Sequence, residues 1–163
     1  MHDERIISDL HTRWLFGWER NEGDIPFDFR RVFGELYDDA SDDVRLYDDF
    51  DPGKRVATTP AQYGAIWEPN FHRMRYAHHA VEDGPHVIAG RDLSASNLIF
   101  VARIATADAV TDIRTVTSLV WRRTPDGWRI VREHNSTTVL PPGHLDGALR
   151  ATRPGDDRQG GTS

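Results

Sequence analysis

The spacing of apolar residues changes once along the sequence, near residue 73. In the first part apolar residues recur every three or four positions, as Ile7, Leu10, Trp14 and Trp18 do, which is the pattern of an amphipathic helix. In the second part apolar and polar residues alternate over long runs, which is the pattern of β-strands. Because helices collected before antiparallel strands pack together against one sheet, the sequence predicts an α+β fold.

Capping residues predict three helices in the first part of the chain. Asp3 can cap a first helix and Asp28 a second. Thr59-Pro60-Ala61-Gln62 has the capping-box pattern of a third helix, with threonine before the helix and proline at its first position. Pro69 is expected to kink or end that helix, because proline removes a backbone hydrogen bond.

A short strand and four long strands complete the predicted order. The short strand, Val44–Phe50, has Tyr47 and Asp49 on one face and Asp48 on the other. Gly84-Pro85 is expected to separate the first two long strands. A curved, mostly antiparallel sheet with three helices in its concave face would form a cone-shaped α+β barrel with a conical cavity. The long strands are expected near residues 74–82, 86–104, 112–124 and 128–139.

Composition excludes several classes of protein. The 163 residues fit one domain and include no cysteine, which excludes a disulfide framework, a thiolate nucleophile and a cysteine-ligated metal. The net charge of −6 argues against a nucleic-acid partner. No apolar run approaches ~18 residues, so no membrane span is expected. The N-terminus lacks the pattern of a secretory signal, which favours a cytoplasmic protein.

The predicted domain ends before the C-terminus. Residues 1–140 are expected to form the folded domain. Residues 141–163 are polar, contain Gly and Pro, and lack periodicity, which predicts a mostly disordered tail. The sequence has no HxH or HExxH pattern, so we expect neither a metal nor another cofactor.

Two segments carry a resemblance to a known superfamily. Tyr47-Asp48-Asp49 precedes Pro52-Gly53, and the last predicted strand contains Asp126-Gly127-Trp128-Arg129-Ile130-Val131-Arg132-Glu133-His134-Asn135-Ser136. With the element order, these residues resemble the SnoaL-like branch of the nuclear transport factor 2-like superfamily, over roughly residues 4–139. That superfamily includes ketosteroid isomerase, scytalone dehydratase, limonene epoxide hydrolase, polyketide cyclases, a kinase association domain and many non-catalytic domains, so the resemblance implies a fold more than a function.

The resemblance also implies which residues face the cavity. It puts Tyr47 and Asp49 on the inward face of the first strand, where related enzymes hold a catalytic base or position a water. It puts Glu133 and Asn135 inward on the last strand. Two departures from the family pattern prevent a direct transfer of activity. First, Trp14 or Phe16 stands where the isomerase has its oxyanion tyrosine. Second, Phe100 and Ala102 replace the Arg-x-Asp pair of the epoxide hydrolase.

Asp49 and Glu133 are the predicted acid and base, with Tyr47 as the group that orients a water or an oxyanion. Burial in an apolar cone would raise the pKa of a carboxyl group and keep it titrating near neutrality. The structural alternative is that Asp49 faces solvent and that Glu133 pairs with an arginine. Residues expected to contact the substrate are Trp14, Trp18, Tyr63, Trp67, His78, Phe100 and Asn135, although alternation leaves open whether His78 or His79 faces inward.

Two functions are compatible with these residues. The first is a cofactor-free acid–base enzyme, an isomerase, cyclase, dehydratase or epoxide-opening enzyme, acting on a small hydrophobic molecule of the kind found in secondary metabolism. The second is a non-catalytic small-molecule-binding or dimerisation domain. The family analogy suggests a homodimer through the outer face of the sheet in either case.

Overall fold

A computed structural model describes residues 1–149 and has the predicted sequence of elements. The helices are α1 (His2–Gly17), α2 (Phe29–Phe33) and α3 (Pro60–Phe71). The strands are β1 (Arg45–Asp48), β2 (Val56–Ala57), β3 (Met74–Ala89), β4 (Leu93–Thr106), β5 (Val110–Thr124) and β6 (Gly127–Val139). The α+β class, the three helices and the four long strands are confirmed. The two-residue strand β2 was not predicted.

All six strands form one sheet in the order β2-β1-β6-β5-β4-β3. β1 runs parallel to β6, and the other neighbouring strands are antiparallel. The short first strand therefore lies directly beside the last one. Its register pairs Leu46 with Glu133 and Asp48 with Asn135, and paired residues in neighbouring strands point to the same face of a sheet.

The core fills the concave face of this sheet and is rich in aromatic rings. Trp14, Phe33 and Tyr63 come from the three helices and are each no more than 1% exposed. Trp18 packs among them, with its ring centroid 4.4 Å from that of Phe33. Burying an apolar side chain of this size stabilises the fold by roughly 1.5–3 kcal/mol. The helices thus close the cone on its open side.

A β-bulge in β6 changes which residues share a face. Val120 pairs with Arg132 but Trp121 pairs with Ile130, so Val131 is an extra residue in the ladder. Uninterrupted alternation along β6 would put Trp128 and Ile130 on one face with His134 and Ser136, but the extra residue reverses the alternation. Ile130 belongs to the same core as Trp128, on the face that also holds Glu133 and Asn135.

Two predicted boundaries also differ. Gly84-Pro85 does not end the first long strand: β3 continues through it with irregular register, and the turn comes after Ala89. Gly84 has a φ of +92°, and an added Cβ there would lie 2.8 Å from the carbonyl oxygen of Asn97, so only glycine fits this irregularity. Pro69 does not end α3, which extends to Phe71.

The segment after β6 packs on the outer face of the sheet. Leu145 is 2% exposed and contacts Ala80 and Val101. Arg103 joins this segment to the sheet, since it binds both Asp146 and Asp112. The predicted disordered tail therefore does not begin at residue 141, and its remainder, residues 150–163, lies outside the described residues. No helix within residues 1–149 is long and apolar enough to cross a membrane.

Candidate active site

Glu133 lies at the centre of a buried hydrogen-bond network. Its side chain is on β6, and the residue is 3% exposed. Tyr37 donates its hydroxyl to Oε2 at 2.5 Å, and Tyr63 donates to Oε1 at 2.6 Å. The Asn135 amide also donates to Oε1, at 2.8 Å, and the Trp14 indole N–H donates to the Tyr37 hydroxyl at 2.8 Å. Both carboxylate oxygens are thus occupied by donors from the protein itself.

Burial dominates the electrostatics of this network. It raises the pKa of Glu133 to about 7, because the charged form loses its hydration. The hydrogen bonds from Tyr37, Tyr63 and Asn135 act in the opposite direction, since they stabilise the carboxylate. Burial and the nearby Glu133 also raise the pKa of both tyrosines well above the ordinary value, so they remain hydroxyl donors.

Asp48 extends the network towards the cavity. It is the last residue of β1 and is paired with Asn135, whose amide donates to Asp48 Oδ2 at 3.1 Å. The backbone N–H of Phe50 donates to the other carboxylate oxygen at 2.8 Å. Burial raises the pKa of Asp48 to about 6, against the opposing effect of these hydrogen bonds. A carboxyl group in that range can give or take a proton near neutral pH.

The cavity inside the cone has a volume of about 60 Å³. Its polar lining includes Asp48, Asn135 and His79, and most of the rest is aromatic or aliphatic. Glu133 lies behind Asn135 and does not line it. A larger groove of about 620 Å³ lies outside, between the end of α1 and the start of β3. Phe71 and Met74 line both spaces, so they separate the cavity from the groove.

His79 is held at the cavity by the carboxylate of Glu19, which lies two residues after the end of α1. Glu19 accepts from the backbone N–H of His79 at 2.8 Å and lies 2.9 Å from its Nδ1. Since a carboxylate can only accept, this contact places the ring proton on Nδ1. Nε2 makes no hydrogen bond to another residue in the range 1–149, and it carries the lone pair of this tautomer.

The structure also decides between the two neighbouring histidines. His79 is 7% exposed and lines the cavity beside Phe100, at a ring distance of 5.6 Å. His78 points the other way, where its ring stacks on Tyr76 and contacts the Asn21 side chain. Strand alternation therefore turns His78 to the outer face, and it does not line the cavity in which a substrate contact was expected.

Tyr47 and Asp49 do not join Glu133. Tyr47 packs its ring against His134 at 5.1 Å on the outer face of the sheet. Asp49 accepts hydrogen bonds from the backbone N–H of Thr137 and from the Ser136 hydroxyl, and it does not line the cavity. The prediction that these two residues face inward is wrong by one position, because the register with β6 puts Asp48 on the inner face.

Most of the other predicted contact residues lie where the sequence placed them, although their role in binding stays a prediction. Those that line the cavity are Trp14, Trp18, Trp67, Phe100 and Asn135. Tyr63 instead belongs to the Glu133 network. Within residues 1–149 no arginine pairs with Glu133, whose hydrogen-bond donors there are two phenols and an amide.

Three components of the site escaped the sequence analysis. Tyr37 follows Phe29 and Phe33 at intervals of four, and this extension of the apolar stripe was a usable signal. Asp48 was visible as an acidic residue but was assigned to the wrong face. Glu19 carried no signal, because its partner His79 is 60 residues away and on a different element.

The concave sheet, the enclosing helices and the internal polar site together define an α+β cone of the nuclear transport factor 2-like superfamily. The model of the SnoaL-like domain family matches residues 32–140, and the chain belongs to this family. No curated protein matches the sequence.

Solved structures show the same fold at low sequence identity. A nuclear transport factor 2-like protein from Salmonella enterica is 15% identical, with a TM-score of 0.68 over 90% of this chain and 97% of its own. A candidate dehydratase from Streptomyces avermitilis is 19% identical, with a TM-score of 0.66 over 85% and 98%. A hexachlorocyclohexane dehydrochlorinase of type 2 is 15% identical, with a TM-score of 0.58 over 84% and 92%.

Proposed function

We propose that this protein is a cofactor-free acid–base enzyme that eliminates water or a similar small leaving group from a small hydrophobic molecule bound in the cone. The observation that carries the proposal is the presence of two different proton-transfer groups, His79 and Asp48, on the wall of one apolar cavity. Two structural neighbours bear the names dehydratase and dehydrochlorinase, and this favours elimination over isomerisation, cyclisation or epoxide opening.

The proton movements balance with these two residues alone. His79 Nε2 removes a proton from carbon, and the Glu19 carboxylate stabilises the imidazolium that forms. The protonated carboxyl group of Asp48 gives its proton to the leaving oxygen as the carbon–oxygen bond breaks. The electron pair of the broken C–H bond forms the double bond, and water departs. Proton transfer through solvent from His79 to Asp48 restores both groups.

Asn135 and Glu133 support this chemistry without reacting. Asn135 donates to both carboxylates, at 2.8 Å to Glu133 and 3.1 Å to Asp48, and so holds Asp48 at the cavity. Glu133 is fixed by two tyrosines and does not line the cavity, which makes it a positioning residue rather than the acid or base that the sequence suggested.

The test uses a panel of small alicyclic hydroxy ketones, ketones and epoxides in D₂O, followed by proton NMR. Removal of a proton from carbon exchanges it for deuterium even when no product accumulates. We expect exchange or elimination with at least one compound. His79→Asn should reduce that rate roughly 10²- to 10⁴-fold, the usual contribution of a general base. His78→Asn is the matched control and should retain full activity.

A second candidate is a non-catalytic ligand-binding domain. The closed hydrogen bonding of Glu133 favours it, because the Asp49–Glu133 catalytic pair expected from sequence is not formed. Saturable binding with no exchange on any panel member would support this candidate and contradict the enzyme. A homodimer and a cytoplasmic location are further proposals, and light scattering on the purified chain tests the first of these.

A further inference from the structure

Four buried side-chain atoms within residues 1–149 have no hydrogen-bond partner: His11 Nε2, Trp67 Nε1, Thr117 Oγ1 and Asn135 Oδ1. Unpaired buried polar atoms are unfavourable and rare, so each calls for a physical explanation. Two of the four, on Trp67 and Asn135, belong to side chains that line the cavity, and the other two do not. The cavity is thus lined by one side chain that carries an unpaired donor and another that carries an unpaired acceptor, and both of these atoms are buried.

The carbonyl oxygen of Asn135 is fixed as the unpaired atom by its neighbours. Its amide nitrogen has two hydrogens, and they go to Glu133 Oε1 and Asp48 Oδ2. Rotating the amide by 180° would direct its oxygen at two carboxyl groups. Because Asn135 is only 2% exposed, bulk water does not satisfy the remaining oxygen. That oxygen accepts only, so its partner must be a donor.

The indole of Trp67 has the complementary requirement. Its N–H is donor-only, and the residue is 6% exposed on the inner side of α3. The indole of Trp14, by comparison, donates to Tyr37 and needs nothing further. A ligand atom that satisfies Trp67 must therefore be an acceptor oxygen, such as that of a carbonyl or ether.

We propose that Trp67 Nε1 and Asn135 Oδ1 are the specificity-determining pair of the cavity, and that they select a small apolar ring bearing an acceptor oxygen and a separate hydroxyl group. This assignment deepens the proposed function and rests on the same cavity, since a hydroxy ketone is also a compound from which water can be eliminated. It concerns binding alone and does not require that the bound molecule react.

Entry of a ring requires the cavity to widen. An apolar cavity of about 150 Å³ holds benzene, whereas this one has about 60 Å³. Phe71 and Met74 border the outer groove, and Met74 has an unbranched, adaptable side chain. Movement of these two side chains would join the cavity to the groove.

Three cyclohexane probes of similar size test the pair. 4-Hydroxycyclohexanone has the carbonyl and the hydroxyl, 4-methoxycyclohexanone lacks the donor, and 4-methylcyclohexanol lacks the carbonyl. Dissociation constants come from tryptophan fluorescence, with NMR saturation transfer as confirmation. We expect 4-hydroxycyclohexanone to bind about fivefold more tightly than either single-group probe, the gain of one neutral hydrogen bond.

Trp67→Phe removes the indole N–H and keeps an aromatic ring. It should weaken binding of the two ketones about fivefold and leave 4-methylcyclohexanol nearly unchanged. Phe71→Leu also enlarges the cavity but removes no hydrogen-bonding group, so it is the control for cavity volume. It should change the dissociation constants of all three probes by the same factor. Circular dichroism verifies folding, and if Trp67→Phe does not fold, the ranking of the probes on the wild-type protein decides alone.

The inference is overturned if the three probes bind equally, if none binds saturably, or if Trp67→Phe alters the ketones no more than Phe71→Leu does. Its failure is distinct from that of the proposed function. Ranked binding without proton exchange supports the pair and contradicts the enzyme. Exchange without ranking supports the enzyme and contradicts the pair.

Discussion

Two polar clusters lie inside the cone, and they use their hydrogen-bonding capacity differently. The Glu133 cluster is closed, because Tyr37, Tyr63 and Asn135 occupy its carboxylate. The His79–Glu19 cluster is open, because Glu19 fixes one ring nitrogen and the other meets the cavity. Closed buried networks rigidify a core, whereas a group with a free lone pair is available for chemistry. Under the proposed function, the deep cluster therefore supports the site, and the groups on the cavity wall transfer the protons.

Asp48 is bonded to Asn135 of the closed cluster and lines the same cavity as His79, so its replacement provides the strongest test of this division. Asp48→Asn removes the proposed acid and should lower the exchange or elimination rate roughly 10²- to 10⁴-fold. NMR rates on the most active panel compound measure this loss.

Asp49→Asn is the matched control for Asp48→Asn, since the two residues are adjacent and differ in the face that they occupy. It should retain nearly all activity. Equal losses of activity in the two variants would mean that both substitutions disturb the local structure. The proposed role of Asp48 as the acid would then be wrong.

Removal of the deep carboxylate should affect stability most. Glu133→Leu leaves two buried tyrosine hydroxyls and one amide without their acceptor, and each such loss costs about 1–3 kcal/mol. We expect the free energy of unfolding to fall by about 3 kcal/mol or more, measured by urea denaturation.

Glu133→Gln keeps an acceptor for Tyr63 and Asn135 and should be markedly less destabilising than Glu133→Leu. If the two variants lowered the free energy of unfolding equally, the network would stabilise the protein through the charge of Glu133 rather than through its hydrogen bonds. The closed description of this cluster would then be wrong.

In the open cluster, Glu19→Gln removes a charge while preserving the shape of the side chain. A hydrogen bond to a charged group contributes about 1.5–3 kcal/mol, so kcat should fall roughly 10- to 100-fold. Because Glu19 acts through His79, KM should change little. Glu22→Gln, a nearby exposed acid paired with Arg75, is the control. A change in KM alone would assign Glu19 to substrate binding.

The sequence was informative where a local pattern depends only on the helix or strand that contains it. Periodicity predicted three helices and four long strands, and the motif near the C-terminus carried the resemblance to the superfamily. The predicted caps Asp28 and Thr59 are confirmed, whereas Asp3 lies inside α1 and does not cap it. Glu133 was correctly assigned to the inner face because it follows the bulge at Val131, so alternation holds from Glu133 to Asn135.

The sequence was uninformative where a contact depends on register or on distant elements. A strand of four residues has no internal marker of its face, so an error of one position exchanged Asp48 for Asp49. The Tyr37–Glu133 contact joins residues 96 apart, and no local pattern encodes it. The short strand next to β6 therefore contained the largest error in the predicted site.

The pH dependence of stability gives the smallest expected effect, and the Glu133→Gln variant isolates the part of it that comes from the deep cluster. Folding raises the pKa of Glu133 from its ordinary value near 4.5 to about 7, so the folded protein binds more protons than the unfolded chain between these values. The contribution of Glu133 to the free energy of unfolding should therefore fall as pH rises across this window, by on the order of 1–3 kcal/mol. Asp48 contributes in the same direction up to its pKa of about 6. Buried His11 contributes in the opposite direction up to its ordinary value near 6.5, because burial lowers its pKa to about 3 and only the unfolded chain then binds the proton. Urea denaturation at pH 5, 6, 7 and 8 is carried out on both proteins. The stability advantage of the wild type over Glu133→Gln should shrink as pH rises, because glutamine does not titrate. An advantage that stayed constant with pH would show that Glu133 ionises normally, and the closed cluster would then be a hydrated one.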